Sequence, residues 1–130
     1  MPVTQELIEN GRILLVVFTD SWTADQMLSH YPQAQQYYDA AKHPIHLLID
    51  VSGARLSIPG ALRAREAPAL RHPMGGDVVV VGAQSVVRAI GETVFRVARF
   101  RRVTFFDTHE EGLAFLRARL AEESMQTHQS

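Results

Sequence analysis

The sequence predicts an α/β domain whose five strands form a mostly parallel sheet with an antiparallel N-terminal hairpin. Asn10-Gly11 joins two strand-like segments, and this pair is typical of tight hairpins. Four segments with helical periodicity then alternate with three further strand segments, which predicts parallel strands joined through helices. The inner strands are apolar at almost every position, as in a sheet covered on both faces. The predicted order is β-β-α-β-α-β-α-β-α.

The hairpin pairs predicted strands at Gln5–Glu9 and Arg12–Phe18 through a type I′ turn at Asn10-Gly11. The first strand is short and half polar, as suits the edge of a sheet. A helix follows, opened by a capping box of Thr23 and Gln26. Its apolar stripe stays in phase across a proline, so we expect one bent helix, the alternative being a helix that restarts with the proline in its first turn. The stripe and the proline comprise Met27, Leu28, Tyr31, Pro32, Ala34, Tyr38 and Ala41.

The central strand is predicted at Ile45–Val51 and leads into Ser52 and Gly53. Its last residues are an acid, a hydroxyl and a glycine, and the carboxyl ends of buried parallel strands are where sites usually form. A helix is expected from Pro59 to about Glu66. The remaining elements are a strand that begins at Asp77 and is closed by Gly82, a helix capped by Ser85, a strand at Arg102–Phe106, and a helix opened by Thr108 with Glu111 and carrying Leu113, Leu116 and Leu120.

Residues 1–121 are predicted to form a single domain, and residues 122–130, which have no pattern, are expected to fray. Over residues 5 to 121 the chain resembles the SpoIIAA-like fold shared by STAS and CRAL-TRIO domains. The resemblance rests on the element order and on the segments LLIDVSG, DVVVVG and VTFFDTHEEGLAFLRARL. The last segment is similar to the C-terminal segment of bacterial SpoIIAA-like proteins of unassigned role.

The STAS resemblance implies a domain that binds a regulatory protein, as anti-sigma factor antagonists do. Those relatives carry a phosphorylated serine or threonine in an Asp-Ser-Ser/Thr-Gly sequence after the central strand. This chain reads Ser57-Ile58-Pro59-Gly60 there, so Gly60 matches but Ile58 and Pro59 replace the acid and the hydroxyl. The phosphoswitch therefore does not carry over, since Ser57 is out of register. The CRAL-TRIO resemblance implies the alternative, a carrier of a small apolar, lipid-like ligand.

Composition excludes several classes of protein. The chain has no cysteine, which excludes disulfides and thiolate chemistry. Its net charge of −1 gives no bulk attraction to nucleic acid, so no nucleic-acid partner is expected. No apolar run approaches the roughly 20 residues of a membrane span, and the N-terminus does not look like a signal peptide. We therefore expect a cytoplasmic protein without a membrane span.

No complete catalytic, metal or cofactor constellation is present, so we expect no enzyme, no metal and no cofactor. Asp50 could be compared with the phosphoacceptor of response-regulator receivers, but these need a lysine after the last strand. The lone lysine, Lys42, lies elsewhere, and that place reads Asp107-Thr108-His109. Asp50 is instead predicted to cap nearby backbone N–H groups. Ser52, His72 and Asp20 make a triad only on paper, because no Gly-x-Ser-x-Gly elbow supports it. The six histidines are assigned to turns and surfaces.

Two surfaces remain as binding candidates. A basic cluster interleaved with Phe95 and Phe100 could bind phosphate, RNA or an acidic partner, but we favour a solvated helix end as its explanation; it comprises Arg96, Arg99, Arg101 and Arg102. If the helices lie mainly on one face of the sheet, a partner subunit or an apolar ligand must cover the other. We expect a homodimer with Trp22 and residues 59–74 near its edge.

Together these observations predict a non-catalytic, STAS-like binding or regulatory domain that acts through protein–protein interaction. Its predicted binding residues are Asp50, Ser52, Gly53, Ser57, Gly60 and Trp22.

Overall fold

A computed structural model describes residues 3–20, 22–55, 68–83, 88–89, 92–93 and 103–129 of the protein. The strands are β1 (Val3–Ile8), β2 (Ile13–Thr19), β3 (Ile45–Gly53), β4 (Gly75–Val81) and β5 (Val103–Phe106). The helices within the described ranges are α1 (Ala24–Ser29), α2 (Tyr31–Ala40), α3 (Pro68–Arg71) and α4 (His109–Gln129).

All five strands lie in one sheet in the order β1-β2-β3-β4-β5. β1 pairs antiparallel with β2, and every other neighbouring pair is parallel. This confirms the predicted α/β class and the antiparallel N-terminal hairpin. β3 is the central strand, and parallel strands lie on both of its sides.

The hairpin loop differs from the prediction. Ile8 pairs directly with Ile13, so residues 9–12 form the loop. Positive φ begins one residue earlier than expected, at Glu9 (52°), and continues through Asn10 (57°) and Gly11 (79°). The Gly11 N–H donates to the Ile8 carbonyl at 3.1 Å, so the first tight turn has Glu9 and Asn10 at its centre. The Asn-Gly pair located the hairpin correctly but placed its turn one residue too late.

The prediction of one bent helix after β2 is wrong, because this segment forms two helices, α1 and α2. The capping box of Thr23 and Gln26 opens α1 as predicted. The chain then turns at His30, and α2 begins with its proline in the first turn, where a missing N–H breaks no helical hydrogen bond. The apolar stripe stays in phase across this break, since Met27, Ala34 and Tyr38 are all buried. The periodicity of the apolar residues therefore identifies the buried face, but it does not show whether the helix is continuous.

One face of the sheet is covered by α1 and α2, with α3 beside them. Alternate strand residues point to this face and form two packed clusters. The buried members are Val3, Leu14, Phe18, Met27, Ala34, Tyr38, Ile45, Leu47, Val51, Val78 and Val80.

The opposite face is covered by α4 alone among the described helices. Leu116 is fully buried there against Ile13, Leu48, Val79 and Val81. Gly112 allows the close approach, because a Cβ at this position would lie 2.5 Å from Val81 Cγ1. The chain itself thus covers the face for which a second subunit was expected, so the fold supplies no argument for the homodimer.

α4 is longer than the sequence predicts, since it continues to Gln129 where a frayed tail was expected from residue 122. In this last part of the helix Glu123 makes polar contacts with Arg12 and His46. A prediction based on the spacing of apolar residues does not detect such contacts. The helix predicted from Pro59 to Glu66 lies outside the described residues. Of the helix predicted after Ser85, Arg88, Ala89, Glu92 and Thr93 are described and helical. None of the helices in the described ranges is long and apolar enough to cross a bilayer.

Candidate functional site

Asp50 lies near the carboxyl end of β3, on the face that α4 covers. One carboxylate oxygen, Oδ1, accepts hydrogen bonds from the Ser52 N–H at 3.0 Å and from the Ser52 hydroxyl at 2.6 Å. The other oxygen, Oδ2, accepts from His109 Nδ1 at 3.0 Å. Asp50 therefore caps the backbone as predicted and also binds a histidine 59 residues away in the sequence. We call Asp50, Ser52, Gly53 and His109 the rim site.

His109 reaches Asp50 because β3 and β5 end at the same edge of the sheet. α4 starts directly after β5. The Thr108 hydroxyl caps this helix by accepting a hydrogen bond from the Glu111 N–H at 3.2 Å. This cap fixes the first turn of α4, which carries His109. The Asp50 side chain is 16% exposed and the His109 side chain 35% exposed, so the contact is only partly shielded from water.

Burial raises the pKa of the Asp50 carboxyl, but the hydrogen bonds from the Ser52 hydroxyl, the Ser52 N–H and His109 outweigh it and hold this pKa below its usual value. Asp50 is consequently a stable carboxylate at neutral pH. Because a group with a lowered pKa is a weak base, Asp50 is poorly suited to removing a proton from Ser52.

Ser52 and Gly53 are exposed at the end of β3, and Gly82 packs directly against Ser52. Gly82 has a φ of +79°, and a Cβ there would lie 2.5 Å from Ser52 Cβ and 2.7 Å from Ser52 Cα. Only glycine satisfies both the backbone angle and the space. The predicted glycine at the end of β4 thus supports the exposed end of β3.

Trp22 lies at the same edge of the sheet. Its indole N–H donates to the Arg55 carbonyl at 2.8 Å, and its ring packs edge-on against Phe18 with centroids 4.9 Å apart. These contacts tie the segment after β2 to the segment after β3. Trp22 is therefore a structural neighbour of the rim site, and its N–H is used within the chain.

The structure brings Asp50, Ser52, Gly53 and Trp22 to one edge of the sheet. The other predicted site residues, namely Ser57, Gly60, Arg96, Arg99, Arg101 and Arg102, lie outside the described residues. Within the described part of the chain, no group of three His, Asp or Glu side chains could hold a metal ion.

The rim site is not a serine–histidine–aspartate triad. In a triad the histidine lies between the serine and the aspartate, so that it takes the hydroxyl proton. Here Asp50 lies between Ser52 and His109, and the Ser52 hydroxyl donates to the carboxylate. The sequence offered no support for a triad of Ser52, His72 and Asp20, and in the structure both ring nitrogens of His72 are used elsewhere, by Asp39 at 2.8 Å and by the Met74 N–H at 3.0 Å.

Sequence reasoning missed two histidines. His109 could have been found from its position, since it follows the strand that ends beside β3. His46 was assigned to a turn or surface, which is wrong, because it lies in β3 and is only 2% exposed. Its flanking proline suggested a turn, but Ile45 and Leu47 on either side show that the strand had already begun.

No family model matches the chain, and no curated protein matches it in sequence. Among solved structures it is similar to an uncharacterized protein of the DUF3478 family with a SpoIIAA-like fold, from Shewanella loihica PV-4. The two chains are 19% identical, the likeness covers 88% of this chain and 91% of that one, and the TM-score is 0.59. This shared architecture agrees with the predicted resemblance, and it concerns the fold alone.

Proposed function

From its SpoIIAA-like fold, we propose that this chain is a non-catalytic STAS-like domain that binds a regulatory protein through the rim site. The partner contacts the exposed end of β3 at Ser52 and Gly53. Binding at this edge follows the general tendency of parallel sheets to form sites at the carboxyl ends of their strands.

The supporting observation is that the hydrogen bonds of Asp50 hold the end of β3 in place. Both of its carboxylate oxygens accept hydrogen bonds from within the chain, and two of these bonds fix the Ser52 backbone and hydroxyl. A side chain committed in this way shapes the surface beside it. Because the exposed end of β3 is held in one conformation before a partner arrives, less ordering free energy is lost on binding.

The protonation of the rim site favours binding over catalysis. The low pKa of Asp50 makes it a weak base, and the Ser52 hydroxyl keeps its proton while donating a hydrogen bond to this carboxylate. An activated nucleophile needs an adjacent base that accepts its proton at neutral pH. Ser52 therefore contributes an exposed polar contact to the proposed interface.

Partner capture with matched variants tests this proposal. Ser52→Arg places a bulky cation on the rim site, whereas Gln36→Arg adds the same side chain to an exposed position of α2. We expect one protein from the source cells to be enriched by the wild type and by Gln36→Arg, and to be reduced at least about tenfold by Ser52→Arg. Equal capture by all three proteins would contradict the rim site as the interface.

Two further measurements separate the other expectations. A co-purified lipid detected by native mass spectrometry would support the apolar-ligand alternative. Sedimentation at micromolar concentration tests the expected homodimer, and a monomer would remove it.

A further inference from the structure

A second polar cluster lies at the opposite end of β3. His46, four residues before Asp50, points to the same face of the sheet, about 13 Å away at the rise of a strand. His46 Nε2 lies 2.8 Å from Glu123 Oε1, and Glu123 Oε2 accepts a hydrogen bond from Arg12 Nη2. Asp77 is the fourth member, and we call the four residues the base cluster.

The protonation of His46 follows from its neighbours. The backbone N–H of Asp77 donates to His46 Nδ1 at 2.8 Å, so Nδ1 carries the lone pair and Nε2 carries the proton. The ring is packed on the backbone of Gly76, where a Cβ would lie 2.4 Å from Nδ1. His46 is thus a buried, fixed donor that presents one N–H to an anion.

Arg12 offers more donors than Glu123 uses. Its Nη2 binds Glu123, while its Nε is buried without a hydrogen-bond partner among the described residues. A buried unpaired donor costs about 1–3 kcal/mol, so such groups call for an explanation. Glu123 divides its two oxygens between His46 and Arg12, which leaves one oxygen for a guanidinium that can donate two parallel hydrogen bonds.

Each of the two carboxylates of the cluster faces a guanidinium group. Asp77 and Glu123 are the carboxylates, and Arg12 and Arg119 are the guanidinium groups, with Arg119 Nε 3.5 Å from Asp77 Oδ2. Asp77 Oδ2 also lies 3.7 Å from His46 Nδ1. Removal of the Glu123 side chain therefore takes away the carboxylate that faces both the Arg12 guanidinium and the buried N–H donor of His46.

The segment of α4 that carries Glu123 is held to the sheet by few contacts. From Ala121 to Met125, the other four side chains are exposed, and Met125 is 62% exposed. Glu123 is the half-buried member of this segment. Little apolar surface is buried between Ala121 and Met125, so within this segment the contacts to the sheet come from the polar groups of Glu123.

We infer that Arg12 and His46 form a binding site for a phosphate group, and that Glu123 occupies this site as an internal ligand. Phosphate has enough acceptor oxygens to bind Arg12 Nε, Arg12 Nη2 and His46 Nε2 together, which the shared carboxylate does not do. A phosphate monoester of a small molecule or inorganic phosphate would displace Glu123 and detach the end of α4. This site is separate from the rim site, and its existence does not depend on the proposed function.

Phosphate titration of the full-length chain at constant ionic strength tests this inference. The variants are Glu123→Ala, which empties the site, and the control Glu122→Ala, which removes a neighbouring glutamate bound to Arg119. Binding is followed by the nitrogen chemical shifts of the His46 side chain, with acetate as a second probe. We expect Glu123→Ala to bind inorganic phosphate at least about tenfold more tightly than the wild type or Glu122→Ala, because an internal ligand competes at high effective concentration.

Addition of Arg12→Gln to Glu123→Ala should remove this gain, and acetate should bind more weakly than phosphate. If Glu123→Ala does not fold, Glu123→Gln is used, since its amide oxygen still accepts a hydrogen bond but lacks the charge. Equal phosphate affinity in a folded Glu123 variant and the wild type would overturn the inference and leave Glu123 as a structural clasp. So would a gain that survives Arg12→Gln.

Discussion

The two ends of β3 carry the same kind of contact in opposite arrangements. At the rim site, the strand supplies the carboxylate of Asp50 and α4 supplies His109. At the base cluster, the strand supplies His46 and α4 supplies the carboxylate of Glu123. The distances are nearly equal, 3.0 and 2.8 Å, but the exposure of the histidine side chains differs, at 35% and 3%.

This difference shows that burial, more than distance, decides what such a pair contributes. Water replaces an exposed partner at little cost, whereas a buried donor that loses its partner pays for its lost hydration. The base cluster should therefore contribute more to the free energy of unfolding than the rim site does. The rim site can be altered with little loss of stability, which suits a surface that binds.

The largest expected effect comes from replacing the two histidines in turn. His46→Leu removes the acceptor of the Asp77 N–H and the donor that faces Glu123 Oε1, and we expect the free energy of unfolding to fall by about 3 kcal/mol. His109→Leu at the rim site should cost less than about 1 kcal/mol. Urea denaturation of both variants measures the two values, and equal losses would remove the proposed contrast.

A pair of glycine substitutions sharpens the contrast without removing a polar group. Gly76→Ala places a Cβ 2.4 Å from His46 Nδ1, where the ring is held by its own hydrogen bonds. We expect a loss of about 2 kcal/mol, as for other overpacked sites. Gly53→Ala at the rim site meets its nearest atom, the Phe18 carbonyl oxygen, at 3.7 Å, so thermal or urea unfolding should hardly change. A comparable loss in both variants would show that the ring can move aside.

The pH dependence of stability tests the rim site separately. The folded-state pKa of Asp50 lies below its unfolded value of about 3.9, so its ionised form stabilises the fold above that pH. This contribution is lost as the pH falls through the folded-state pKa. The difference in free energy of unfolding between wild type and Asp50→Asn should therefore shrink on acidification, starting near the unfolded-state pKa and ending below the folded-state pKa. A difference that grows on acidification would mean that the carboxylate destabilises the rim.

The smallest effect is expected at Tyr38, which lies on the other face of the sheet beside a third histidine–carboxylate pair, His72 with Asp39. Tyr38 is fully buried and stacks on His72, and its hydroxyl has no hydrogen-bond partner among the described residues. Tyr38→Phe removes this hydroxyl, so the free energy of unfolding should stay constant or rise by up to about 1 kcal/mol. A clear loss in urea denaturation would reveal a partner for the hydroxyl.

Much of the fold could be predicted because it depends on local patterns. The apolar strands, the Thr23–Gln26 cap and the leucines of α4 each depend on neighbours a few residues away, and all were located from the sequence. The errors lie at boundaries: the turn that begins at Glu9, the break before α2, and the end of α4. At each of these points, one hydrogen bond or one backbone angle outweighs the apolar pattern.

The sites were harder to predict, because they join residues that are distant in the sequence. Asp50 and Ser52 were found since both lie at one strand end, but their partner His109 follows another strand. The base cluster joins Arg12, His46 and Glu123, which no local pattern connects. Such contacts follow from strand order, and the sequence alone did not determine that order.

The unbroken order of the strands has a consequence for how the protein is made. Each strand is added beside the one before it, so the whole sheet can assemble while the chain emerges from the ribosome. Among the described residues, Leu116 of α4 covers Ile13, Leu48, Val79 and Val81 on one face, and α4 is synthesised after all five strands. A nascent chain that pauses before Leu116 would lack this cover, and its exposed apolar side chains could bind chaperones or other nascent chains.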